Sequence, residues 1–425
     1  MRNDVNGPLT VVIALDHAFV SGGQSRVAFD SALGLKAQGH RPIVFAAVGP
    51  IDPLFAAHGI EVVCLDQSDL VHNPSKIAAA RQGIWNAAAA AELGQLLAGL
   101  PRGRGVIHVH GWAKALSPAI ARPIAAAGHP AIYTMHEFFL LCPNGGFYNY
   151  RSAQPCGLEP LSAACWATNC DSRSYSRKLW RNVRQTVMQQ GARLPEVFGD
   201  VILISDFQRG VVGDRLPDAA RVHLVSNPIA VADLGPKPDP AAGEFTFVGR
   251  LSPEKGVLVF AEAARRLGVK PVFVGEGPMR AELASRYPEA ELRGWQDQAG
   301  VAATMRAARV LVFPSLWYEG QPLTVLEAKG LGTPVIVSDG CAGRDSVEHG
   351  VTGLWFKRAD PGDLAAAMAR LRHDGTVARM SLASSQAFWR DPPTIERHVG
   401  EIVKVYRTAI GTPGVTTAAR SSRAA

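Results

Sequence analysis

Short, almost uninterrupted apolar runs alternate with longer Ala-rich helical patterns along most of this chain, and that alternation restricts the folds open to it. The runs lie at 10–15, 42–46, 61–65, 106–109, 131–135 and 200–204, and helical patterns at 24–38, 76–97 and 115–127 fall between them. A strand with one wet face alternates apolar and polar residues. Near-continuous runs instead read as strands buried on both faces. The expected architecture is therefore a parallel sheet covered by helices on each side. At 233–243 the chain reads DLGPKPDPAAG, a Pro/Gly-rich linker. The alternation then restarts, with strands expected at 245–248, 271–274, 291–293, 310–313 and 334–338.

Two doubly wound α/β units in series are the simplest reading, and 425 residues suffice for two cores. The first unit is assigned to 1–232, with a Cys-bearing loop at 137–175. The linker 233–243 leads to the second unit, 244–390. A crossover helix is assigned to 391–410, its helical pattern running over 395–409 after Pro392-Pro393, and is expected to cross back onto the first unit. Residues 411–425 are small and polar, the composition of a disordered tail.

The formal net charge of +7 favours anionic partners. Nucleic acid is not indicated, since the chain lacks zinc-finger spacing, an RNP-like aromatic pattern and a long Lys/Arg block. The segment 1–8 is polar, the run 10–15 is too short for the apolar core of a signal peptide, and no uninterrupted apolar stretch of about 18 residues occurs. The expectation is a cytoplasmic protein whose membrane contact, if any, is peripheral at the inner face.

The segment richest in chemistry begins where the run 245–248 enters Gly249-Arg250-Leu251-Ser252-Pro253-Glu254-Lys255-Gly256 and a helical pattern follows. Glycine permits a tight turn and close backbone approach at the carboxyl end of a parallel strand, where such sheets bind ligands. Arg250 offers a planar fork of donors and Lys255 a mobile ammonium, a pair suited to a diphosphate. An ordinary turn flanked by two solvated cations accounts for the same residues. A second segment, Trp317-Tyr318-Glu319-Gly320-Gln321-Pro322-Leu323-Thr324-Val325-Leu326-Glu327, follows the run 310–313. Free backbone N–H groups at its helix start can bind anionic or hydroxyl oxygens. Glu327 could accept hydrogen bonds from the vicinal hydroxyls of a ribose; an acid complementing the helix dipole is the plainer alternative.

These two segments resemble the G-R-x-x-x-E-K-G and E-x7-E motifs of the retaining glycosyltransferases of family 4, which have the GT-B fold. The spacing between them, the turn Val274-Gly275-Glu276-Gly277-Pro278 and Ser21-Gly22-Gly23 after the first run also match, so the resemblance covers nearly the whole chain. It implies two facing Rossmann-like domains. Arg250 and Lys255 would then hold the donor diphosphate, Glu327 the ribose, and Glu319 with Gly320, Gln321, Pro322 and Leu323 the donor sugar. Gly22 and Gly23 would face the phosphates from the other domain. Gly249, Gly275 and Gly277 would shape the donor loops, and Gly294-Trp295 would lie near the base. His136 matches a family histidine that contacts the transferred sugar, with His110 the second candidate. The resemblance further implies retention of anomeric configuration without an established protein nucleophile, and no metal at the active site. The co-substrate would be a UDP- or GDP-sugar, with no other cofactor required.

Cys142, Cys156, Cys165 and Cys170 fall in a Gly/Pro/Asn-rich stretch directly after His136. Clustered thiols in a cytoplasmic chain suggest metal before disulfides, so a structural zinc held by these four is one expectation. Unmetallated thiols are the other, because the spacings fit no named zinc module. The stretch Ser176-Arg177-Lys178-Leu179-Trp180-Arg181-Asn182-Val183-Arg184 sets three apolar residues among four cations. It could rest on an anionic membrane, or pack Trp180 into the core behind a solvated basic face.

The resulting reading is a retaining hexosyltransferase acting from a nucleoside-diphosphate sugar onto a glycan or lipid-linked acceptor, the acceptor bound by the first domain and the donor by the second. The Ala/Arg/Gly-rich composition suggests a bacterial source and surface polysaccharide assembly. The rivals are a GT-B sugar-nucleotide epimerase or hydrolase, and a non-catalytic nucleotide-sugar-binding protein.

Overall fold

The computed structural model describes residues 7–411. In chain order the first unit contributes β1 (Thr10–His17), β2 (Arg41–Val48), β3 (Glu61–Cys64), β4 (Gly105–Val109) and β5 (Ala131–Thr134). A short antiparallel hairpin of β6 (Tyr148–Asn149) and β7 (Gln154–Pro155) follows, then β8 (Asp200–Leu203) and β9 (Arg221–Leu224). The second unit contributes β10 (Phe245–Val248), β11 (Val272–Val274), β12 (Glu291–Gly294), β13 (Val310–Phe313), β14 (Val335–Ser338) and β15 (Gly353–Phe356). Among the described residues the larger sheets run β3-β2-β1-β4-β5-β8-β9 and β12-β11-β10-β13-β14-β15. Every neighbouring pair in both is parallel.

The unbroken apolarity of the strands has a direct cause. Along β1, Val11, Ile13 and Leu15 enter one helix-covered core while Val12 and Ala14 enter the other, so neither face is left for a polar residue. Two edge strands lay outside the expected set. β9 reads Arg-Val-His-Leu and is only partly buried, so it presents no apolar run. β15 is four residues long and follows a Gly-rich turn, leaving little pattern to read. The helical pattern at 76–97 is two helices, Lys76–Ile84 and Ala87–Ala98. Asn86 divides them, its side-chain oxygen accepting from Ala89 N at 3.1 Å as an N-cap.

The last helix, Ile395–Gly411, does cross back onto the first unit, burying Val399, Ile402, Tyr406 and Ala409 in that unit's core. Gly34 admits it: a Cβ there would stand 2.5 Å from Val399 Cγ2. The expected tail falls outside the described residues from 412 onward.

In each large sheet the strand order reverses between two central neighbours, β1 and β4 in the first and β10 and β13 in the second. Chain segments leaving these neighbours diverge to opposite faces and open a crevice at the carboxyl edge, the place where open α/β sheets bind ligands.

Candidate active site

The two crevices meet in one cavity of about 650 Å³, lined by residues that follow β1, β4 and β5 in the first unit and β10 and β13 in the second. Segments far apart in sequence converge here. Gly22, Gly23, His136, Gly249, Arg250, Lys255, Glu319, Gly320, Gln321, Pro322, Leu323 and Glu327 all line it. Three expected donor-site residues do not. Gly275 and Gly277 stand behind the wall, where a Cβ would meet Gly249 O at 2.0 Å and Leu251 O at 2.3 Å respectively. They are glycines because the Gly249 loop is stacked directly on their backbone, with Gly249 N donating to Val274 O and Leu251 N to Glu276 O. Trp295 is 74% exposed, outside the cavity lining.

The charges are disposed for an anion carrying hydroxyl groups. Arg250 is exposed, and its guanidinium has no hydrogen bond or ion pair among the described residues. Lys255 Nζ donates to Glu319 Oε1 at 2.7 Å, and Ser315 Oγ donates to the same oxygen at 2.9 Å. Glu319 holds this position with a left-handed backbone, φ +47°, which costs a non-glycine residue on the order of 1–3 kcal/mol and is characteristic of ligand-binding turns. Burial pushes the Glu327 carboxyl above its usual range, and the Arg26 guanidinium of the first unit partly offsets that effect. Trp317 also lines the cavity, and its buried Nε1 has no partner.

The first unit supplies residues that the motifs did not mark. Asp16 is buried and lines the cavity, accepting from Ala115 N at 2.8 Å, Leu116 N at 3.0 Å and Lys114 N at 3.1 Å, which ties the turn after β4 to the end of β1. A carboxylate closing an otherwise apolar run was the one available signal for it. Lys114 adds an exposed cation to the lining, and nothing in its sequence surroundings distinguishes it. Cross-unit hydrogen bonds hold the cleft: Ser205 Oγ donates to Gly320 O at 2.6 Å, Phe207 N to Asp345 Oδ2 at 2.6 Å and Asn227 N to Gln321 Oε1 at 2.7 Å. His136 lines the cavity, and its Nε2 lies 3.0 Å from Nδ1 of His110, which is fully buried behind it.

Two family models match this chain. Residues 242–374 match the glycosyl transferases group 1 model. Residues 21–233, half of the chain, match glycosyltransferase family 4. The chain belongs to glycosyltransferase family 4. The GT-B fold of this family 4 protein is shared with solved structures. HepE from Anabaena in complex with UDP superposes with a TM-score of 0.64 at 15% identity, covering 94% of this chain and 100% of that one. The sucrose-phosphate synthase of Thermosynechococcus elongatus gives a TM-score of 0.68 at 18% identity, covering 94% and 98%. Among curated relatives, a GDP-mannose-dependent alpha-mannosyltransferase of Mycolicibacterium smegmatis is 37% identical over 237 residues, 54% of this chain and 59% of that protein. The Escherichia coli UDP-Gal:alpha-D-GlcNAc-diphosphoundecaprenol alpha-1,3-galactosyltransferase is 34% identical over 151 residues, 32% of this chain and 38% of that protein. The matched region thus spans about half the length, or less, of these relatives.

Beside the cavity, this family 4 protein carries its four clustered cysteines. Cys142, Cys156, Cys165 and Cys170 do converge on one small space, but Lys178 lines it with them, 1% exposed, its ammonium donating to Cys165 Sγ at 3.3 Å. Among the described residues no group of three or more His, Cys, Asp or Glu is placed to hold a metal ion.

The helix carrying Lys178, Tyr175–Thr186, meets the second expectation about its packing only in part: Trp180 turns inward, its Nε1 donating to Ala80 O at 3.2 Å, but the basic face is not solvated. Lys178, Asn182, Arg184 and Gln185 are buried, whereas Tyr175, Leu179 and Val183, one above another at successive turns, are 40%, 36% and 43% exposed. Arg184 explains part of the inversion. Its guanidinium lies over the rings of Trp112, Phe139 and Trp180 and donates to Ala113 O at 2.8 Å, so the buried cation is both stacked and hydrogen-bonded. No helix among the described residues is long and apolar enough to cross a membrane.

Proposed function

We propose that the protein is a retaining glycosyltransferase that moves a hexose from a UDP- or GDP-linked donor to a glycan or lipid-linked acceptor in the assembly of a bacterial surface polysaccharide. The observation that carries this reading is the pairing, in one cavity, of a guanidinium and an ammonium, Arg250 and Lys255, with the carboxylate of Glu327; among the described residues neither Arg250 nor Glu327 has a side-chain hydrogen bond. The cations suit a diphosphate and the carboxylate a diol, the two polar ends of a nucleoside diphosphate. The relatives named for UDP-galactose and GDP-mannose support a nucleotide-sugar donor.

On this reading the acceptor oxygen bonds to the anomeric carbon on the face from which the diphosphate departs. The bond from that carbon to the phosphate oxygen breaks, and the acceptor proton passes to the departing phosphate. Arg250 and Lys255 stabilise the charge that develops there, the work a divalent ion does elsewhere. Donor binding would draw Lys255 from Glu319 toward the phosphate, freeing the Glu319 carboxylate for the sugar hydroxyls. The acceptor would enter through an adjoining cavity of about 580 Å³, whose wall includes Phe147, Phe207, Tyr318, Arg215 and Arg344. Phe138, which lines the donor cavity, packs its ring against Phe147 and Tyr318 of the adjoining one. Aromatic faces and guanidinium groups suit sugar rings joined to an anionic carrier. The outward apolar stripe Tyr175, Leu179 and Val183, with exposed Arg151, Arg173 and Arg177 around it, supports a peripheral contact with an anionic lipid surface.

Calorimetric titration of metal-stripped protein with UDP, GDP and ADP, beside Lys255→Ala, tests the donor site. One nucleotide binds without divalent metal, and the substitution weakens it by about 1.5–3 kcal/mol, the range for a hydrogen bond to a charged group. Absence of binding by all three, or an unaffected variant, overturns the phosphate cradle. Release of free or epimerised sugar from the bound donor, with no transfer, favours the epimerase or hydrolase. Binding without turnover favours the sensor.

A further inference from the structure

Three histidines stand in line behind the cavity. His108 on β4 is fully buried between two hydroxyls, with Tyr406 Oη 2.6 Å from Nδ1 and Thr134 Oγ1 2.7 Å from Nε2. The ring of His110 lies 4.1 Å from that of His108, and its Nδ1 meets His136 Nε2 at 3.0 Å. His136 alone of the three lines the cavity. Burial pushes the imidazoles of His108 and His110 well below their usual range and His136 down to about 3, so all three are neutral at working pH.

Two neutral imidazoles facing nitrogen to nitrogen share one proton, which leaves two arrangements. If His136 Nε2 carried it, His110 would hold its own proton on Nε2. That nitrogen is buried and has no partner. A buried N–H without an acceptor is the costlier defect; an unfilled acceptor lone pair is better tolerated. The proton therefore belongs on His110 Nδ1, donated to His136 Nε2, and His136 must carry its own on Nδ1, a nitrogen with no protein partner among the described residues.

We infer that His110 is a positioning residue that fixes His136 as its Nδ1–H tautomer, so that His136 presents a hydrogen-bond donor, and no basic lone pair, to a sugar oxygen in the cavity. This rests on the reading of His136 as a contact of the transferred sugar. It removes His136 as a candidate general base, since its other nitrogen is already filled by the proton from His110. It also gives the residue that follows β4 a part in the site, although it touches no ligand.

Long-range proton–nitrogen NMR on the full chain labelled with ¹⁵N-histidine reads tautomers without any substrate, with His136→Gln and His110→Asn used for assignment. The expected wild-type spectrum has both His110 and His136 protonated on Nδ1. His110→Asn keeps a donor near the Nδ1 position and leaves the His136 pattern unchanged. His110→Phe removes the donor that holds His136 Nε2 as an acceptor, so the single Nδ1–H pattern of His136 gives way to a mixture of tautomers and kcat for transfer falls about three- to tenfold, with nucleotide binding unaltered. A wild-type His136 protonated on Nε2 overturns the inference, as does a His136 pattern indifferent to His110→Phe in a folded variant. The expected tautomers in a protein that transfers no sugar would leave the inference standing and sink the transferase reading instead.

Discussion

Glu327 joins two properties that pull in opposite directions. Its carboxyl is raised by burial and has no hydrogen-bond partner among the described residues, so the ionised form is a cost to the empty protein. A carboxyl with a folded pKa above its unfolded value contributes stability at low pH that is lost as pH rises through the folded value. Glu327→Gln should therefore leave the empty protein at least as stable at pH 7 by thermal melting. The same substitution should weaken nucleotide binding by about 1.5–3 kcal/mol and flatten the loss of affinity seen on acidification above the ordinary carboxylate range. A variant that loses stability and keeps affinity would make Glu327 a structural residue. At this scale, what could be read from sequence was the chemistry of isolated motif residues. Arg250, Lys255, Glu319 and Glu327 fall in or just after glycine turns, and they do share one cavity. Trp295, Gly275 and Gly277 sit in the same kind of turns but outside it, because motif membership does not reveal which face of a loop is turned to the ligand.

The helix Tyr175–Thr186 shows the same limit for an element. Its strong amphipathic pattern was legible, but its orientation was not. A basic face ordinarily points to water, and here neighbouring rings and the Ala113 carbonyl hold the buried Arg184 while thiols surround Lys178. With its apolar stripe outward, the helix should adsorb to vesicles containing anionic lipid at low ionic strength and be released by salt. Leu179→Ser with Val183→Ser should abolish most co-sedimentation without lowering the melting temperature, because both side chains are exposed. Wild-type protein that stays in the supernatant at low salt would sink the membrane role. The split at Asn86 was legible in principle: a capping residue stood mid-pattern, and the Ala-rich flanks masked it.

Across the whole molecule, the crossover helix Ile395–Gly411 makes the two units interdependent. Tyr406 is fully buried in the first unit's core although the chain reaches it only after completing the second, and its hydroxyl meets His108 behind the site. Tyr406→Ala should destabilise the protein by about 3–5 kcal/mol, the usual cost of truncating a buried aromatic residue, measured by urea unfolding. A loss below about 1 kcal/mol would mean that the helix docks only loosely. The doubly wound pattern was legible from the runs alone, because strands buried on both faces leave no polar positions. The edge strands β9 and β15 were not, since a partly buried strand needs no such run.

By itself the sequence determined two parallel α/β units, their glycine turns and the residue types of a diphosphate and diol site. All of these depend on local periodicity and on the chemistry of single side chains. Only the tertiary structure decided that segments hundreds of residues apart face one another across a cleft. It also seated an ammonium among four thiols, turned an apolar stripe outward, and set His110 behind His136. Each of those outcomes depends on which groups are brought within hydrogen-bonding or packing distance, and spacing along a chain does not encode that distance.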